Sequence, residues 1–86
     1  MIKRKLIIQN RYGLHARPAA QFVQIASQYD ADIKIKKDEI EVNGKSIMGI
    51  LMLAVEKGSE VELTVSGKDE KEAMDALAGF LLNTQD

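Results

Sequence analysis

One proline governs how the first third of this chain can fold. Pro18 has no backbone N–H and a φ already near the helical value, so it suits the first turn of a helix and breaks one later. Beyond it, Ala19, Phe22, Val23, Ala26 and Tyr29 repeat with helical spacing, while Gln21, Gln24, Ser27 and Gln28 occupy the other face. The spacing predicts a helix opening near Ala16 and running to about Gln28. His15, the only histidine of the 86 residues, then stands at or just before the first turn. Helical N–H groups there lack partners within the helix, and the dipole is positive. Arg17 adds a full charge two residues on. A lone histidine near a helix start is more often a cap or surface residue than a reactive one. Beside an anion-favouring helix start, however, an imidazole is well placed to carry phosphate.

Composition narrows the chemistry. Cysteine is absent, which excludes a disulfide scaffold, a thiol nucleophile and a thiolate metal site. With one histidine, a zinc or haem site is not expected, so neither metal nor cofactor enters the reading. The basic start Met1-Ile2-Lys3-Arg4-Lys5 is followed only by Leu6-Ile7-Ile8, too short for a secretory signal. No stretch has transmembrane length, so a cytoplasmic protein without a membrane role is expected. The length suits one domain, residues 1–86. Residues 1–17 hold five bases and no acid, whereas the rest hold seven bases and thirteen acids. The histidine region is thus expected to be the electropositive end, able to steer an acidic partner or a phosphate. Nucleic acid is not the expected partner, since two Phe, two Tyr and no Trp leave little for base stacking.

Along the chain, Ile2 to Ile8 reads as a strand, with Ile2, Leu6 and Ile8 on one face beside Arg4. After the first helix, Ile33 and Ile35 alternate with Lys34 and Lys36. A tight hairpin at Lys37-Asp38-Glu39 leads into Ile40-Glu41-Val42. Ser46 is placed to cap a second helix with the apolar set Ile47, Ile50, Leu51 and Ala54, stopped at Gly58. Val61, Leu63 and Val65 alternate with Glu60, Glu62, Thr64 and Ser66, the clearest strand. Asp69 with Glu72 forms a capping-box pattern for a last helix whose inner face is Ala73, Leu77, Phe80 and Leu81. Gly79 weakens that helix. The order β-α-β-β-α-β-α, with strands covered on one side, predicts an α+β, two-layer arrangement with helices on one face of a four-stranded sheet. Periodicity does not fix the strand order.

Gly13-Leu14-His15-Ala16-Arg17-Pro18-Ala19 resembles the active-site motif of the histidine-containing phosphocarrier proteins (HPr) of the phosphoenolpyruvate:sugar phosphotransferase system. Asn43-Gly44-Lys45-Ser46-Ile47-Met48-Gly49-Ile50 resembles that family's second helix start, and the likeness covers essentially the whole chain. The resemblance implies an antiparallel sheet in an open-faced sandwich. It implies that His15 accepts a phosphoryl group on ring Nδ1 from phosphorylated enzyme I and passes it to a histidine of an enzyme IIA protein. Arg17 would stabilise the phosphate. On the residues alone, Ile47, Met48 and Met52 could equally complete a small core. By the resemblance, Ile47 and Met48 match positions exposed for partner docking, which is the reading favoured here, and Ala16, Ala20, Gln21, Gln24 and Met52 are the neighbouring candidates. Ser46, a plain N-cap on its own evidence, matches the serine phosphorylated by HPr kinase/phosphorylase in many members. Gln21, Gln24 and Ser27 stand where some sugar-transport members carry lysines. With Leu51-Met52-Leu53 and Lys57-Gly58, they also resemble the nitrogen-related branch. A monomer is expected. A rival from another class is a regulatory binding module that uses phosphorylation as its signal.

Overall fold

The structure, a computed structural model, describes residues 1–83. Its elements are β1 (Ile2–Ile7), α1 (Ala16–Ala26), β2 (Asp32–Lys37), β3 (Ile40–Asn43), α2 (Ile47–Met52), β4 (Glu60–Ser66) and α3 (Glu70–Asn83). The strands form one antiparallel sheet in the order β1-β4-β2-β3, with the helices against one face. This is the α+β open-faced sandwich expected from the sequence. The late strand β4 sits between β1 and β2, where Leu63 lies opposite both Arg4 and Ile35.

Period-two alternation explains the layers. Val61, Leu63 and Val65 of β4 and Ile33 and Ile35 of β2 are buried beneath the helices, joined by Phe22, Ile50, Leu77 and Leu81. Each such side chain contributes about 1.5–3 kcal/mol relative to staying exposed. Arg4 shares the inward parity of Ile2 and Leu6 but is exposed, because β1 is an edge strand. The same alternation corrects the expected charge distribution. Lys3 and Lys5 have the opposite parity and stand opposite Thr64 and Glu62 on the open face of the sheet. Of the five early bases, Arg11 and Arg17 are the ones in the segment that carries His15.

The helices depart from expectation at their ends. α1 stops at Ala26, and Ser27 and Gln28 form a turn. α2 does not reach Gly58: it ends at Met52, and Ala54 takes a left-handed φ of 52°. Lys37 Nζ donates to the Leu53 carbonyl at 3.4 Å and the Ala54 carbonyl at 2.9 Å, partnering the C-cap oxygen and the one just beyond it. Ile50 is the fully buried residue of α2, Ile47 and Ala54 are exposed, and Val55 enters the core from the following loop. In α3, Ala73, Leu77 and Leu81 are buried as expected, with Met74 and Ala78 beside them, and Phe80 is half-buried. The Asp69 carboxylate serves a distant segment: it accepts the N–H groups of Asp30 and Ala31 at 2.9 and 3.0 Å, tying the α1 exit to the start of α3.

Candidate functional site

The segment between β1 and α1 is held against the segment between α2 and β4. Ile8 N–H donates to the Ser59 carbonyl, and Gly58 N–H donates to the Ile8 carbonyl, both at 2.9 Å. Gly13 N–H closes a turn onto the Asn10 carbonyl at 3.1 Å, and Leu14 N–H reaches the Val55 carbonyl at 3.0 Å. Gly13 has a φ of 72°, and a Cβ there would collide with the Val55 carbonyl, so only glycine fits without strain. Leu14 is buried and pins the last residue before the histidine. Asn10 is also fully buried, and among the described residues neither amide atom has a hydrogen-bond partner. Such burial costs about 1–3 kcal/mol.

His15 is the N-cap residue of α1, with extended backbone (φ −80°, ψ −170°). Its carbonyl accepts the Ala19 N–H at 2.9 Å, while its side chain makes no capping bond. The imidazole therefore stays exposed at the positive end of the helix dipole. Pro18 is buried within the first turn and offers no N–H, so the N–H groups of Ala16 and Arg17 are the ones that the helix start presents. Arg17 is exposed in the same turn. The ring of Tyr12 meets that of His15 in an edge-to-face arrangement, with centroids 6.0 Å apart and planes at 75°. The Arg11 guanidinium lies 5.5 Å from the Tyr12 ring centroid. No group of three or more His, Cys, Asp or Glu able to hold a metal ion occurs among the described residues.

On α2, which packs against α1, the Ser46 hydroxyl accepts the Gly49 N–H at 3.0 Å and caps the helix as expected. Ile47, Met48 and Met52 are 42%, 68% and 75% exposed, so all three lie outside the core. On α1, Ala16, Gln21 and Gln24 are exposed and Ala20 is half-buried. Two neighbours of His15 were given no role by the sequence: Tyr12, an aromatic three residues earlier in a turn, and Val55, whose carbonyl anchors the loop. The Tyr12–Gly13 pair, one residue removed from the histidine, is the signal that could have found the first. Nothing in the local pattern pointed to the second.

A four-stranded open-faced sandwich presenting an exposed histidine at the start of its first helix defines a class of small histidine-bearing phosphocarriers. The family model described as the "PTS HPr component phosphorylation site" matches residues 2–83. The chain is 47% identical over 81 residues to the phosphocarrier protein HPr of Neisseria meningitidis serogroup A, covering 94% of this chain and 91% of that one. A crystal structure of HPr from Thermoanaerobacter tengcongensis superposes with a TM-score of 0.92 at 48% identity, covering 95% and 92% of the two chains. The Bacillus subtilis protein Crh, described as a domain-swapped dimer, matches with a TM-score of 0.79 at 43% identity over 100% and 99%. The chain belongs to the HPr family of the phosphotransferase system. No helix among the described residues is long and apolar enough to cross a membrane.

Proposed function

We propose that residues 1–86 form one phosphocarrier domain that relays a phosphoryl group through His15 in the cytoplasm. The donor is phosphorylated enzyme I, charged by phosphoenolpyruvate, and the acceptor is a histidine of an enzyme IIA protein. The observation that carries this reading is the exposed, uncapping imidazole of His15 at the α1 start, beside Arg17 in the first turn. In the transfer the lone pair of His15 Nδ1 attacks phosphorus in line. The bond between phosphorus and the donor atom that carried it breaks, and its electron pair stays with the donor. The Arg17 charge and the N–H groups of the first turn favour the phosphate once it is attached. Phosphoryl transfer depends on alignment and charge stabilisation, and the partner's site supplies much of both. An exposed site is suited to handing the group on. The reaction needs no metal or cofactor held by this chain.

Ile47, Met48 and Met52, with Ala16, Ala20, Gln21 and Gln24, form the docking surface for both partners. Exposed methionine adapts to two different surfaces in turn. Ser46 caps α2 immediately before Ile47 and Met48, so a phosphate added there by HPr kinase/phosphorylase would place charge inside this surface and oppose docking. The carrier acts as a monomer. Incubation with enzyme I and phosphoenolpyruvate, followed by intact mass and peptide mapping, should show one acid-labile phosphoryl group on His15. The His15→Ala variant should remain folded and unlabelled. Labelling that persists in that variant rejects the assignment.

A further inference from the structure

We propose that Tyr12 is a positioning residue: its ring, backed by the Arg11 guanidinium, holds the His15 imidazole in one orientation for phosphoryl transfer. The proposal rests on the reading of His15 as the phosphoryl acceptor. For an exposed imidazole, a ring contact such as that with Tyr12 bears on which rotamer is populated. Transfer requires one ring nitrogen to face the incoming phosphorus, and each competing orientation dilutes the productive one. The edge-to-face contact at 6.0 Å and 75° is the geometry that aromatic pairs favour, and it selects among those orientations.

The contact is built into the backbone. Tyr12 and His15 flank Gly13 and Leu14, a corner fixed by the Gly13–Asn10 and Leu14–Val55 hydrogen bonds and by the buried Leu14 side chain. The two Cα positions are therefore set before the rings meet. Tyr12 is 65% exposed and lies outside the hydrophobic core. Arg11 sits over the Tyr12 ring at a cation–π distance, which restrains the ring that restrains the histidine.

Kinetics and NMR on the full chain test this together. The parent should show Tyr12–His15 ring-to-ring nuclear Overhauser contacts and ring-current-shifted His15 protons, retained in Tyr12→Phe and lost in Tyr12→Leu. Single-turnover transfer from phosphorylated enzyme I, at saturating donor, should slow about three- to tenfold in Tyr12→Leu, matching the worth of one aromatic pair. The half-saturating donor concentration should not change, Tyr12→Phe should transfer at the parent rate, and Arg11→Gln should fall between parent and Tyr12→Leu. The proposal is overturned if Tyr12→Leu keeps the parent rate at saturation, or if only its half-saturating concentration moves, which would make Tyr12 a docking residue. Absence of the ring contacts in the parent overturns it equally, whatever the folding of the variants. A parent that is labelled while Tyr12→Leu is unimpaired sinks this inference alone. A parent that takes no phosphate on His15 sinks the carrier reading and this inference with it.

Discussion

The carbonyl oxygen of Val55 occupies the space where a Cβ on Gly13 would stand, and the same oxygen accepts the N–H of Leu14 at 3.0 Å. Two residues before the histidine, the chain is thereby pressed against the loop that follows α2. The position of the reactive ring depends on this contact between segments far apart in sequence.

Gly13→Ala should accordingly be costly. The added Cβ meets backbone atoms, which cannot swing aside, and the φ of 72° penalises any side chain. A loss of about 2 kcal/mol or more is expected, lowering the thermal midpoint by roughly 8–16 °C. Gly79, inside α3, has nothing within 4 Å of where a Cβ would stand, and this predicts the reverse. Gly79→Ala should add about 0.5–1 kcal/mol. Calorimetry of both variants checks the contrast, and equal effects at the two sites would contradict it.

Ser46 separates cap from switch. Ser46→Ala removes the acceptor of the Gly49 N–H and should cost about 1 kcal/mol while leaving transfer to His15 intact. Ser46→Asp keeps a capping oxygen, so its midpoint should stay near the parent's, yet it should slow phosphorylation by enzyme I about tenfold. Transfer rates and melting curves of the two variants decide. If Ser46→Asp accepts phosphate at the parent rate, Ser46 is a cap alone.

Met48→Asp should leave stability within about 0.5 kcal/mol, because the side chain is 68% exposed. It should weaken binding to enzyme I and to the enzyme IIA protein alike, by about tenfold each, since one apolar patch serves both. Titration calorimetry against each partner measures this. A defect confined to one partner would mean two separate surfaces.

Glu70 predicts a pH dependence. Its carboxylate accepts the Gly67 N–H at 3.0 Å and pairs with the Met1 ammonium at 3.1 Å, and these hold its pKa below the ordinary 4.5, the backbone bond contributing most. A depressed carboxylate stabilises the fold fully above its unfolded value and loses that contribution as pH falls through the folded one. Glu70→Gln should therefore lower the thermal midpoint near neutrality, and the gap to the parent should close below pH 4.5. Melting curves taken from neutral to strongly acidic pH test the sign; a gap that widens in acid would refute it.

Local pattern carried much of this protein. Alternation at Val61, Leu63 and Val65, helical spacing after Pro18 and the short hairpin read at Lys37-Asp38-Glu39 are properties of a few neighbouring residues. Each element formed there, although α1 ends at Ala26 and Lys37 closes β2, leaving Asp38 and Glu39 as the turn. The motif around His15 carried the family for the same reason. Other features belong to pairs distant in sequence. The Asp69 carboxylate, patterned as a helix cap, is engaged by Asp30 and Ala31, because folding brings the end of α1 to the start of α3. Lys37 meets the carbonyls at the end of α2, which stops well short of Gly58. The placement of β4 between β1 and β2, the seat of Gly13 against Val55 and the meeting of Tyr12 with His15 were likewise decided by tertiary structure. Periodicity reports which face a side chain prefers, but a partner across the fold is chosen only when the whole core closes.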